Sequence, residues 1–199
     1  MPDKYSRFAD LAAFEVLGVD YRICLTDRKS PIAIVAPHGG RIEGGTSEVA
    51  AAIARGDHSI YCFEGLIPGR PHADLHIRSE LFDEPQGCDL VMAAEIAIGI
   101  HGRADKEDPE TTSMGGRDVA LRDAIAAALG SAGFEAAIAA KGLRGEDPNN
   151  ICNRGCRMEG VQLEIPKTLR DRLVANRGLR VRFAEAVRGE LAHHMRDPR

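Results

Sequence analysis

The sequence predicts an α/β fold built around a parallel sheet, and three stretches predict it. Ile32-Ala33-Ile34-Val35 is a continuous apolar run, the pattern of a buried strand. An Ala-rich helical stretch follows over residues 49–55, and Ser59-Ile60-Tyr61-Cys62-Phe63 then reads as another strand. A strand, a helix and a strand in that order make a right-handed crossover between parallel neighbours.

Each element has its own local reason. Phe8, Leu11, Ala12 and Leu17 recur at a helical period that Gly18 ends, and residues 21–25 read as a strand. Asp27-Arg28-Lys29-Ser30-Pro31 is a turn, and Pro31 opens the buried strand, which ends at Pro37. Thr46 is a suitable N-cap for the helix after the glycines. Residues 65–86, with Pro68, Gly69, Pro71 and Pro85, are expected to be irregular, with a short helical turn near Asp89. Residues 94–100 form an apolar strand ending on His101-Gly102, and residues 103–116 a polar loop. A helix over 118–129, closed by Gly130, leads to a strand over 134–140. Val161-Gln162-Leu163-Glu164-Ile165 is a strand ended by Pro166, and two helices finish the chain.

Composition narrows the function classes. At 199 residues, 44% hydrophobic and 28% charged, the chain suits one globular domain over residues 1–199. No apolar run approaches the roughly 18 residues that span a bilayer, and the N-terminus lacks the pattern of a signal peptide. A cytoplasmic protein that binds no membrane is therefore expected, with its five cysteines as reduced thiols. Cys152-x3-Cys156 is a weak metal or redox spacing. A net charge of −4 argues against nucleic-acid binding. Arg170, Arg172, Arg177, Arg180, Arg182 and Arg188 crowd the last stretch; they read as a solvated helix face, or as an electrostatic lure for an acidic substrate.

The chemistry concentrates where strands end. His38 and Glu43 sit in Ala36-Pro37-His38-Gly39-Gly40-Arg41-Ile42-Glu43, a glycine-bent loop after the first buried strand. Open α/β sheets place ligand sites at such ends. A second apolar strand repeats the grammar at His101-Gly102. Two imidazoles and a carboxylate are the protein ligands of a catalytic zinc with an open fourth position. A further carboxylate must then handle the proton of the attacking water, and Glu164 is the candidate. Strand alternation alone also allows Glu164, with Gln162, to face solvent from an edge strand.

Six blocks in order, APHGGRIEGGTSE, IYCFEG, LHIRSELFDEP, IHG, NICNRG and GVQLEIP, resemble the poly-γ-glutamate hydrolase family, first met in phages of bacilli. The resemblance spans about residues 5–173. The family is similar to the zinc carboxypeptidases of the carboxypeptidase A type. It implies a three-layer αβα fold with a mixed, mostly parallel central sheet and one zinc ion. Carried over residue by residue, it makes His38, Glu43 and His101 the zinc ligands and Glu164 the general base. Carboxypeptidases use H-x-x-E, whereas four residues separate His38 from Glu43, so the glycines must bend the loop back.

The resemblance implies an amide hydrolase acting on γ-linked glutamate chains or a related acyl-glutamate. The residues expected to touch substrate are Arg154, Asn153, His76 and Arg78. A guanidinium pairs bidentately with a carboxylate, and a γ-glutamyl polymer offers one per residue. His76 reads equally as a structural hydrogen-bonding residue, and Asn153 as a builder of a tight loop. Two other classes compete: a zinc hydrolase of another small N-acyl amino acid, and a non-enzymatic phage-associated binding protein.

Overall fold

The structure, a computed structural model, describes residues 2–196. The elements run α1 (Phe8–Phe14), β1 (Tyr21–Thr26), β2 (Ile32–Gly40), α2 (Thr46–Ala54), β3 (Ser59–Gly65), α3 (Pro85–Ala93), β4 (Ile96–Arg103), β5 (Thr112–Gly116), α4 (Val119–Ser131), β6 (Ala136–Ile138), β7 (Val161–Pro166), α5 (Lys167–Ala175) and α6 (Arg177–His194). Short 3-10 turns lie at His72–Asp74 and Ile151–Asn153.

The strands form one sheet in the order β1-β3-β2-β4-β7-β5-β6. β2 pairs in parallel with β3 and β4, β4 with β7, and β5 with β6. The pairs β1–β3 and β5–β7 are antiparallel. The sheet is thus mixed and mostly parallel. One face carries Ile32, Ile34, Ile98 and Leu163 under Ile53 of α2, Ile125 of α4, Leu173 of α5 and Phe183 of α6. The other carries Ala33, Val35 and Phe63 under Leu11 of α1, Leu90 of α3, and Ile77 and Phe82 from the segment before α3. Those are the three layers.

Several expectations change. The stretch expected to be polar loop contains β5, which runs antiparallel to β7 and makes β7 an interior strand. Its signal is hidden because Gly115 and Gly116 replace side chains: a Cβ on Gly116 would lie 2.2 Å from the Gly160 carbonyl. The turn near Asp89 is a nine-residue helix, with Pro85 in its first turn and the Glu84 carboxylate accepting the Gly87 amide at 2.8 Å. Thr46 lies inside α2, whose N-cap is Gly45 in the left-handed region. The Thr46 hydroxyl instead donates to the Glu43 carbonyl at 2.9 Å. The five cysteines are free thiols, and no described helix is long and apolar enough to cross a membrane.

The N-terminal segment is tied to the loop after β3. Glu15 accepts hydrogen bonds from Tyr5 Oη at 2.7 Å, Lys4 Nζ at 2.9 Å and Arg70 Nη2 at 2.6 Å. Burial pushes the Glu15 carboxyl up, but Arg70, Tyr5 and Lys4 outweigh it and hold it at about 2. A carboxylate depressed in the fold stabilises above its unfolded pKa and stops stabilising as pH falls through the folded one. Glu15→Gln is expected to cost about 1–3 kcal/mol at neutral pH. The gap to wild type should close as pH falls from about 4.5 to about 2, read by urea unfolding. A gap that stays constant over that range contradicts this.

Candidate metal centre

Strand alternation alone would send His38 to the face of Ile34 and Ala36. The register against β3 shifts between Ala36 and Gly39, and this bulge turns the ring toward the opposite face. There it lies against the tilted ring of His76, with centroids 4.0 Å apart, and meets the edge of Phe82. His38 Nε2 lies 2.7 Å from the Ile77 carbonyl. A carbonyl only accepts, so Nε2 carries a proton, and Nδ1 is the nitrogen left for a ligand.

The glycines do bend the loop back. The Glu43 amide donates to the His38 carbonyl at 2.9 Å, closing the turn. Gly40 has φ 62, and a Cβ on Gly39 would lie 2.3 Å from Ser47 Oγ, so both positions need glycine. Glu43 Oε1 then lies 3.4 Å from His38 Nδ1, and Oε2 accepts the Gly102 amide at 2.7 Å.

His101 and Glu164 reach the same face by parity. On β4, Ile98 and Ile100 point one way and His101 the other; on β7, Leu163 and Ile165 oppose Gln162 and Glu164. His101 and Glu164 are register partners on adjacent parallel strands. Because β7 is interior, Glu164 is buried, and the solvent-facing alternative fails. His101 Nδ1 lies 3.3 Å from His38 Nδ1. Ligands on a tetrahedral zinc at ~2.0–2.1 Å stand roughly 3.3 Å apart. The separations of His38 Nδ1 from His101 and from Glu43 fit that geometry. His38, Glu43 and His76 each bring one ligand atom within 4.8 Å of the others, a grouping with His76 where the resemblance implies His101.

The electrostatics divide these groups. Burial works against the Glu43 carboxylate, yet His38, then His72 and His101, hold it well below the usual range. Burial likewise opposes the charged form of His38, and Glu43 outweighs it to raise the pKa. Burial, then the His38 charge, pushes His101 down to about 3 and His76 to about 4. Glu164 is pushed up to about 8 by burial, then by Glu43. Gln162 Nε2 donates to Glu164 Oε1 at 3.0 Å and is itself held by Asn150, whose amide donates to Gln162 Oε1 at 2.8 Å. Gln162 thus fixes one oxygen of Glu164, a contact that strand alternation alone does not reveal.

The remaining expected residues separate. Asn153 is buried and donates to the Gly145 and Asp147 carbonyls, each at 2.8 Å. Arg154 donates to the carbonyls of Asn149 at 2.6 Å and Phe82 at 2.7 Å, bracing the wall of the site. Both side chains, expected to grip substrate, are committed to the protein itself. Arg78 stays exposed beside Glu80 at 3.2 Å. His76 lies 4.0 Å from Glu43 Oε1, and His72, absent from the sequence reading, lies 3.4 Å from it.

Arg170 corrects the reading of a solvated arginine face. It is buried, donates to the carbonyls of Gly44 at 2.7 Å and Arg103 at 3.1 Å, and bonds the Ile165 carbonyl. One guanidinium thus joins the Glu43 loop to the ends of β4 and β7, directly beneath Gly102, where a Cβ would lie 2.4 Å from it. Arg170→Ala is expected to cost about 3 kcal/mol by stranding these acceptors, a fall of roughly 6–12 °C in Tm by calorimetry. A change within about 0.5 kcal/mol, the size of an ordinary surface substitution, contradicts the clamp.

Comparison with known proteins places the chain in a family. The poly-gamma-glutamate hydrolase family matches residues 5–192. The SPbeta prophage-derived UPF0714 protein YoqZ of Bacillus subtilis strain 168 is 42% identical over 166 residues, or 82% of this chain. The chain spans 58% of that protein's length. A bacteriophage poly-gamma-glutamate hydrolase superposes with a TM-score of 0.89 at 32% identity, covering 97% of this chain and 98% of that one. A zinc-free apo form of YNDL superposes with a TM-score of 0.85 at 32% identity, covering 96% and 98%. With its family match running through every strand of the sheet and the fold superposing over nearly the whole chain, the protein belongs to the poly-gamma-glutamate hydrolase family.

Proposed function

We propose that this protein is a zinc-dependent hydrolase of γ-glutamyl amide bonds, acting on poly-γ-glutamate or a related acidic acyl-glutamate. One observation carries the reading. His38 Nδ1 faces His101 Nδ1 at 3.3 Å and Glu43 Oε1 at 3.4 Å, with Glu164 beside His101 on the same sheet face. His38, Glu43 and His101 would hold the single catalytic ion. The zinc-free apo form described for a relative of the same fold supports zinc as that ion.

Zinc held there supplies Lewis acidity to the scissile carbonyl and acidifies the attacking water. The residues do the rest. Glu164 takes the proton of the attacking water and passes it to the leaving amine. Gln162 holds one oxygen of Glu164 in place, so the carboxylate meets the water in one orientation. The Ile77 carbonyl fixes the His38 ring, and the Gly102 amide fixes Glu43. Phe82 and Ile77 keep bulk water from the inner wall. Arg78 is exposed and held only by a surface pair with Glu80, a weak interaction that a substrate carboxylate can replace. His76 is the second candidate for substrate contact.

Purified protein dialysed free of loose metal is expected to retain about one zinc per chain, and His38→Ala and His101→Ala to lose it. Glu164→Gln should keep the zinc and lose roughly 10²–10⁴-fold in kcat. Elemental analysis with turnover of γ-linked and α-linked oligoglutamates reads both results. Stoichiometric zinc in both histidine variants would overturn the site. Turnover confined to small N-acyl amino acids would replace the polymer as substrate.

A further inference from the structure

Four of the seven histidines lie in one row of tilted rings: His72 against His76, with centroids 4.3 Å apart, His76 against His38 at 4.0 Å, and His38 beside His101 at 5.2 Å. The proposed catalytic ion engages the inner end of this row. The outer end has its own carboxylate. Asp3 Oδ2 lies 3.0 Å from His76 Nδ1, and Asp3, His72 and His76 each bring one ligand atom within 4.8 Å of the others. His76 Nδ1 is buried and makes no hydrogen bond of sound geometry, so its distance from Asp3 is short without being a satisfied pair.

The scaffold holds these three residues in advance. The His76 amide donates to the His72 carbonyl at 3.2 Å, which puts the two rings one helical turn apart on one face. The i, i+4 histidine pair is a spacing that binds zinc. The Lys4 amide donates to the Ala73 carbonyl at 2.8 Å and pins the segment carrying Asp3 against the middle of that turn. Arg70 then binds Asp74 at 3.2 Å and Glu15 at 2.6 Å, while Lys4 and Tyr5 bind Glu15 from the other side. Both ligand-bearing segments thus close on the same buried carboxylate.

We propose that Asp3, His72 and His76 form a second divalent-metal site at the mouth of the catalytic centre. Two imidazoles and one carboxylate select zinc, cobalt or nickel over magnesium and calcium. His72 is half exposed, so the ion exchanges with solvent more readily than one held by the buried His38, Glu43 and His101. His76 links the two sites: Nδ1 faces Asp3, and Nε2 faces Glu43 at 4.0 Å. An ion on Nδ1 leaves the proton on Nε2, directed at the Glu43 carboxylate. Occupancy of the outer site therefore fixes the tautomer of a ring that borders the inner one.

The test is a zinc titration of the tag-free, chelator-stripped chain by calorimetry, with circular dichroism to check the fold of each variant. Wild type is expected to take two ions, the second more weakly. Asp3→Asn leaves all four imidazoles in place and should weaken the second ion at least about 100-fold while keeping the first. His72→Ala should do the same. His101→Ala should lose the tight ion and keep the weak one, which separates failure of this site from failure of the catalytic reading. A single zinc in wild type, or a second ion undiminished in folded Asp3→Asn, overturns the proposal.

Discussion

The burial of the Glu43 carboxylate is the constraint on which the rest of the site depends. An ionised carboxylate in a protein interior costs several kcal/mol unless charge and hydrogen bonds replace the water it loses. Here the replacements come from separate parts of the chain. The Gly102 amide binds one oxygen, and His38 and His72 approach the other. None of these groups lies in the loop that carries Glu43 except His38, where that loop begins. The loop must therefore be held from outside, and Arg170 of α5 does so through the Gly44 carbonyl while also bonding the ends of β4 and β7.

The sheet converts that constraint into a site. Parallel pairing brings the C-terminal ends of β2, β4 and β7 to one edge, where open α/β sheets bind ligands. Parity delivers His101 and Glu164 to one face without adjustment. His38 has the wrong parity, and the bulge in β2 corrects it. The glycines that follow let the chain turn back so that the Glu43 amide reaches the His38 carbonyl. Bulge and turn follow one another in the chain: the first turns the imidazole, and the second brings the carboxylate back to it.

Two buried carboxylates on this face are shifted in opposite directions. Glu43, ringed by imidazoles, is held ionised, whereas Glu164 is pushed up to about 8 by burial and by the Glu43 charge. A pair of acids driven apart by their surroundings suits the proposed division of labour, in which one would bind a cation and the other would accept a proton and pass it on. Gln162, fixed by Asn150, gives the second acid a defined orientation. Asn153 and Arg154 stiffen the neighbouring wall by bonding to backbone carbonyls.

Much of the fold was legible in the sequence because its signals are local. Apolar runs marked β2, β3, β4 and β7, and glycines and prolines marked most of the breaks. His38, Glu43, His101 and Glu164 could be singled out because each stands where an apolar strand meets chemistry it does not need for packing. β5 escaped because its glycines pack backbone against backbone and leave no hydrophobic period. Arg170 was mistaken for a surface charge because its acceptors are carbonyls up to 126 residues away, invisible to any local pattern. The row of imidazoles joining His72 and His76 to His38 likewise exists only once the loop after β3 folds across the end of the sheet. Periodicity and burial cost act over a few residues, so local pattern shows which strands form and which residues are out of place in them. Tertiary structure decided which of those residues meet, because hydrogen bonds and buried charges are satisfied between segments far apart in the chain.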